Sequence, residues 1–236
     1  MSRRAILAIR SDIVSSVESE YLEWMTKEHA IERVGIDGFV SARIYRADRS
    51  DINRYWILYD LESVAVVDSP AYLDRLNNPT PWSTKMMPQL GNFVRGGGEV
   101  IEEFGSGCAA KLFPAIAPEA AIATKEDLKR LVAISHVASA QILQTDLRRT
   151  SVPTNEKTMR SGDRIFGNML LISALDASAL NAALRYLPPS QSGRVGPEEG
   201  DNVAYSLLFS LTRSNLEAQA TAESVPNLNS KSKSAF

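Results

Sequence analysis

The chain switches between two hydrophobic periods. A dense apolar run at 5–13 reads as a strand. Ser15 or Ser16 suits a helix N-cap, and Val17, Tyr21, Trp24, Met25 and Ile31 follow at helical spacing until Gly35 and Gly38 end the helix. Residues 39–47 and 54–61 then alternate as strands around the turn-rich "RADRSDIN". A second helix is predicted over 64–76, with Ser69-Pro70 as a kink or restart. A proline-containing connection leads from it to a strand at 93–104. The order is β-α-β-β-α-β.

The same order then repeats. A strand at 110–116 precedes a helix that Thr124 caps and that runs to about residue 134. Strands follow at 139–147 and 166–175, then a helix at 178–187 and a strand at 203–212. "SARIYR" at 41–46 and "SAQILQ" at 139–144 occupy the same strand of each half, which supports an internal duplication. A doubly wound parallel sheet would need strands alternating singly with helices, and the adjacent strand pairs argue against it. Each half is expected to be a ferredoxin-like split unit with one bare sheet face, which the second copy would cover. The predicted fold class is therefore α+β: two ferredoxin-like βαββαβ repeats forming a barrel within one chain. The expected division is 1–107, 108–216, and a disordered tail at 217–236 rich in Ser, Asn, Ala and Lys.

Composition narrows the functional classes. Hydrophobic residues make up 44% of the 236, enough for a real core. The net charge of −2 provides no field for nucleic acid or an anionic membrane. No segment approaches the roughly 18 apolar residues of a membrane span, and the N-terminal apolar run is too short for a secretory signal, so a cytoplasmic protein is expected. A lone Cys108 excludes an internal disulfide. The two histidines, His29 and His136, fall in different halves, with no acidic spacing that suggests a metal site. "RGGGEV" at 95–100 lacks the Lys-Ser/Thr of a phosphate loop and reads as a bulge or a close backbone approach. His136 stands where Gly38 stands in the other half, at a strand entrance. "RTSVPTNEKTMRSGD" at 149–163 and "GPEEGDN" at 196–202 read as solvated loops.

The first helix carries the sharpest irregularity. Turned at about 100° per residue, it places Glu28 near the centre of the apolar stripe and His29 on its flank. A buried carboxylate is costly unless partnered or protonated. Glu28 could instead reach water or pair with Lys27 or Arg43, and His29 could be a surface residue. On the second strand, Val40, Ala42 and Ile44 are expected to face the helices and Phe39, Ser41, Arg43 and Tyr45 the inter-sheet side. Trp82, flanked by prolines, is a candidate pocket lid or a hydrophobic plug.

Trp24, Glu28, His29, Gly38, Phe39, Ser41 to Arg43 and Tyr45 together resemble the dimeric α/β-barrel superfamily. That group includes antibiotic-biosynthesis-type monooxygenases and proteins of ethyl tert-butyl ether degradation. "DSPAYLDRLNNPTPWSTKMMP" at 68–88 is similar to their later part, so the likeness spans roughly 5–104. The second half matches in plan only. The resemblance implies a pocket role for Glu28 and His29. Tyr21, Trp24, Arg43 and Trp82 are the candidate substrate contacts beside them, with a plain core role as the alternative for Tyr21 and Trp24. It also implies one chemical route: a base makes an electron-rich anion that reduces dioxygen directly. His29 is then the expected base, supported by Glu28, acting without a cofactor or metal on a small aromatic or N-heteroaromatic substrate of the hydroxyindolinone or hydroquinone kind. The same base could serve an oxygen-independent isomerase, cyclase or dehydratase. Other members bind haem, and a non-catalytic ligand-binding accessory protein has the same features. Pairing of two chains into a homodimer is compatible with all of these.

Overall fold

A computed structural model describes residues 3–117, 123–160, 162–187 and 203–224. The first half runs β1 (Ala5–Asp12), α1 (Glu18–Trp24), a wide turn (Met25–His29), α2 (Ala30–Val34), β2 (Phe39–Ala47) and β3 (Arg54–Leu61). It continues with α3 (Pro70–Asn77), α4 (Pro81–Met86) and β4 (Gly91–Gly105). The second half runs β5 (Lys111–Ala117), α5 (Lys125–Val132), β6 (Val137–Thr145), α6 (Leu147–Thr150), α7 (Asn155–Thr158) and the short β7 (Arg164–Ile165). After it come β8 (Asn168–Ala174), α8 (Ala177–Tyr186), β9 (Tyr205–Thr212) and α9 (Arg213–Ser224).

Eight antiparallel strands close into a barrel in the order β1-β3-β2-β9-β5-β8-β6-β4, with β4 returning to β1. Within it, β4-β1-β3-β2 and β9-β5-β8-β6 are the two ferredoxin-like sheets. The edge strand of each pairs with the last strand of the other, so the barrel is complete in one chain. The pairing is unequal: β1 matches β4 over seven residues, whereas β5 matches β9 only at Lys111 and Leu112.

Strand alternation sends side chains to three cores. Ile6, Ala8, Tyr45, Trp56, Leu58, Leu143 and Met169 fill the barrel interior. Leu7, Ala42, Ile44, Tyr55, Ile57 and Tyr59 face the first-half helices, and Phe113, Ala140, Ile142, Leu170 and Ile172 face the second-half helices. The expected facing of β2 holds except at its start. A register shift between Phe39 and Ser41 turns Phe39 toward the helices and leaves Val40 exposed.

The two halves match in backbone detail. Gly38 opens β2 at φ +88°, where a Cβ would sit 2.4 Å from Val66 Cγ2. His136 opens β6 at φ +68° and places its Nδ1 3.0 Å from Asp176 Oδ2. The glycines at 96–98 lie inside β4, where the strand packs closely. A Cβ on Gly98 would stand 1.9 Å from Gln144 O on β6.

Two expectations need correction. The segment 149–163 is not a solvated loop: Thr150, Thr154, Glu156 and Arg160 are buried. It crosses onto the first half, where Arg149 pairs with Asp68 and Asn155 Nδ2 donates to Asn77 O at 2.7 Å. Thr150 Oγ1 accepts from Gly97 N at 3.1 Å. The tail expected from 217 begins as helix α9, because Arg213 Nε donates to Phe39 O at 3.0 Å and Leu216 packs on the first-half core. Residues 225–236 of that tail, and the loop at 196–202, lie outside the described residues. No helix among the described residues is long and apolar enough to cross a membrane.

Candidate functional site

The first helix does not keep one period. Thr26 Oγ1 donates to Leu22 O at 2.7 Å, competing for the carbonyl that a regular helix would use at this point. The Ala30 N–H then reaches Met25 O, five residues back, in a single π turn. Tyr21, Met25, His29 and Arg33 stand four residues apart, a spacing that drifts about 40° per step on a regular helix. The wide turn absorbs part of that drift and keeps all four on one face.

The phase change reverses the expected roles. His29 is 6% exposed and inside, while Glu28 is half-buried at the edge, where its Oε1 accepts from Thr80 Oγ1 at 2.6 Å. Ile31, expected on the stripe, is 39% exposed, and Ala30, Arg33 and Val34 are buried in its place. A regular helix has 3.6 residues per turn, and this one turn departs from it, which shifts every side chain that follows.

A cavity of about 30 Å³ lies between this helix face, the outer faces of β1, β3 and β4, and the crossing segment from the second half. It has room for about one or two waters. His29, Tyr21 and Trp24 line it, as do Arg33, Arg95, Glu156 and Arg160. The Trp24 and His29 rings lie 4.3 Å apart, and Trp24 Nε1 donates to Ser83 Oγ at 3.2 Å. Arg33 pairs with Glu156, both buried. Arg160 holds Asp163 through Nε at 3.0 Å and Nη2 at 2.9 Å, and its guanidinium lies 4.0 Å from the Phe93 ring centre.

Burial pushes the His29 pKa well below the usual histidine value, and the charges of Arg33 and Arg160 push it further the same way. The ring is therefore neutral at neutral pH, and its buried Nδ1 has no hydrogen-bond partner. Burial likewise raises the Tyr21 and Tyr59 hydroxyls; the Ser11 side chain offsets part of the rise at Tyr21, while the Tyr59 hydroxyl has no hydrogen-bond partner. Burial works against the Arg33 charge, but Glu156, Tyr72 and Tyr59 more than restore it. Lys157 is lowered to about 8 by burial and by Arg95 and Arg160.

Of the residues expected from sequence, the structure brings His29, Tyr21 and Trp24 together at the cavity. Arg43 points instead to the inter-sheet side, as expected for its strand position, and bonds Asp60 Oδ2 at 2.7 Å, an oxygen shared with Ser41 Oγ. Trp82 is not in a loop. It is the second residue of α4, partly buried against the core and away from the cavity lining. Sequence reasoning missed Arg33, Arg95, Glu156 and Arg160. Only Arg33 left a signal, being four residues beyond His29. Among the described residues, no three His, Cys, Asp or Glu side chains gather as a metal site.

No protein-family model matches the sequence, and no curated protein matches it. Solved structures do match by shape. An anthrone oxidase-like protein superposes with a TM-score of 0.56 at 12% identity, covering 90% of this chain and 94% of its own. A proposed monooxygenase from Fusobacterium nucleatum gives 0.50 at 9% identity, covering 89% and 95%. A proposed chlorite dismutase gives 0.50 at 11% identity, covering 89% and 96%. At these identities the likeness is one of fold, and the chain has the dimeric α+β-barrel architecture, closed here within a single polypeptide.

Proposed function

We propose that the protein is a small-molecule oxygenase in which His29 is the general base and the surrounding guanidinium groups stabilise the anion it creates. The observation that carries this reading is the His29 ring itself: neutral, buried, and with an Nδ1 that no protein group occupies. The names of two fold neighbours, the anthrone oxidase-like protein and the proposed monooxygenase, support the same class.

In this reading His29 takes a proton from an acidic C–H or O–H of a small aromatic or N-heteroaromatic substrate, of the hydroxyindolinone or hydroquinone kind. The positive field of the surrounding guanidinium groups stabilises the resulting carbanion or phenolate in a buried site. That anion passes one electron to dioxygen, and the organic radical and superoxide join as a peroxide anion. The peroxide recovers its proton from the His29 imidazolium. Where the oxidised carbon keeps a hydrogen, loss of water leaves a carbonyl, so that CH2 and O2 become C=O and H2O.

Admitting a ring requires the cavity to widen. Met25 and Met87, unbranched and adaptable, line the side that would yield. The cavity as it stands has no space for a tetrapyrrole. The second histidine, His136, is exposed and bonded to Asp176. A haem does not fit these residues. Glu28 acts at one remove: its bond to Thr80 secures the N-terminus of α4, whose Ser83 fixes Trp24 behind the His29 ring.

Oxygen uptake measured against a panel of hydroxyindolinones, hydroquinones and enolisable aromatics tests the reading. Uptake is expected, and His29→Ala should lower turnover by about 100-fold or more. Glu28→Gln, which keeps an acceptor for Thr80, should cost less than about tenfold, consistent with the modest worth of one hydrogen bond. Turnover unchanged in His29→Ala would remove His29 from the mechanism. Equal product formation without oxygen would replace the oxygenase with an isomerase or dehydratase using the same base.

A further inference from the structure

Buried guanidinium groups ordinarily carry partners. Arg95 on β4 does not. It is 3% exposed, its Nε has no acceptor, and no carboxylate among the described residues pairs with it. Two neighbours on the same cavity are only partly satisfied. Arg33 gives Nη2 to Glu156 and leaves a buried Nη1 without a partner. Arg160 spends Nε and Nη2 on Asp163, and its Nη1 meets the Met87 thioether at 2.8 Å, a weak acceptor for a charged donor. Three guanidinium groups thus border the cavity against one lining carboxylate, Glu156.

We propose that this cavity binds a carboxylate carried by the substrate, with Arg95 as its anchor and Arg33 Nη1 and Arg160 Nη1 completing the cradle. The substrate class is then a small aromatic carboxylic acid bearing the acidic C–H or O–H, and the assignment rests on His29 marking the reacting site. Size agrees: about 30 Å³ holds a carboxylate head group and not a ring, so the head seats first and the methionine side yields to the remainder. Charge agrees as well, because a bound anion satisfies donors that otherwise bear an unpaired charge in a buried site. It also offsets the field of Arg33 and Arg160 at His29, making the ring a stronger base only once the substrate is seated.

The test uses formate, which fits the cavity, with formamide as its neutral counterpart and chloride at matched ionic strength. The His29 ring resonances of the full chain are followed by NMR without dioxygen, with His136→Gln assigning the two histidines. Formate should shift the His29 resonances saturably and move their titration to higher pH, while formamide and chloride do neither. Arg95→Met should weaken formate binding by about 10-fold or more, the worth of a charge-assisted hydrogen bond. The same change should raise Tm by about 2 °C or more, since it removes an uncompensated buried charge. Arg95→Lys, which keeps the charge in nearly the same volume, should retain part of the formate response, and it serves as the folded control.

A formate response that is absent, that formamide equals, or that survives Arg95→Met intact would overturn the proposal. None of these outcomes depends on oxidation. The oxygenase reading can therefore fail in the uptake assay while carboxylate binding stands, and the reverse.

Discussion

The helix-covered faces of the two halves share one strand order, but only the first sets buried charged groups within its apolar core. Behind α5 and α8 lie Leu128, Leu131, Leu170, Ile172, Leu180 and Ala183, packed as hydrocarbon against hydrocarbon. Behind α1 and α2 the same layer holds His29, Arg33 and Arg95, with Glu156 and Arg160 delivered from the other half. Their helices differ accordingly. α5 is short and closed by a full capping box between Thr124 and Asp127, whereas the first helix runs on through a π turn that re-aims its side chains. Under the proposed function, duplication would permit a division in which one copy supplies stability and the other carries the buried charge of the site.

The largest effect that would sharpen this contrast is expected at Glu156. Glu156→Ala leaves Arg33 buried with no counter-charge and should destabilise by about 3–5 kcal/mol in urea unfolding. Adding Arg33→Met should recover most of that loss, because the paired charges have then both been removed. A loss that the double variant fails to recover would mean that Glu156 matters for packing rather than for charge.

Leu128→Ala asks the same of the second half. It should cost about 2–5 kcal/mol through the cavity it leaves, and it should leave the formate response of His29 unchanged. If that response weakened in parallel with stability, the two faces would be one cooperative unit and the proposed division of labour would fail.

The parts of this arrangement differed in how far they could be read from the sequence. Strand order, the repeat, and the equivalence of Gly38 with His136 were legible because period-2 and helical patterns are local properties. The inward set of β2 was legible up to Phe39 and Val40, where a register shift escapes any two-residue rule. His29 and Glu28 were both visible but exchanged, since one side-chain bond from Thr26 widens a turn and shifts the phase of everything after it. Glu156 and Arg160 were read as solvated because their segment is polar. What buries it is contact with residues about 80 to 120 positions away, such as Asp68, Asn77 and Arg33, and no local pattern encodes that. Arg95 sits in a glycine-rich strand, and nothing in its neighbours marks it as unpaired.

The smallest expected effect bears on whether the first-half cavity is dry. The folded-state pKa of His29 is depressed below the ordinary value near 6.5, so the unfolded chain takes up a proton that the native chain refuses. Above about pH 6.5 neither state binds that proton and His29 adds no slope. Below it, stability falls with pH at up to about 1.4 kcal/mol per unit until the depressed pKa is reached. His29→Gln abolishes this contribution and leaves the carboxylate titrations common to both proteins. Between pH 7 and pH 5.5, the wild type should therefore lose about 1 kcal/mol more than the variant in urea unfolding. Parallel acid limbs would mean that water reaches the ring and solvates its charged form. The first face would then be as open as it is polar, and the contrast with the sealed hydrocarbon of the second would rest on composition alone.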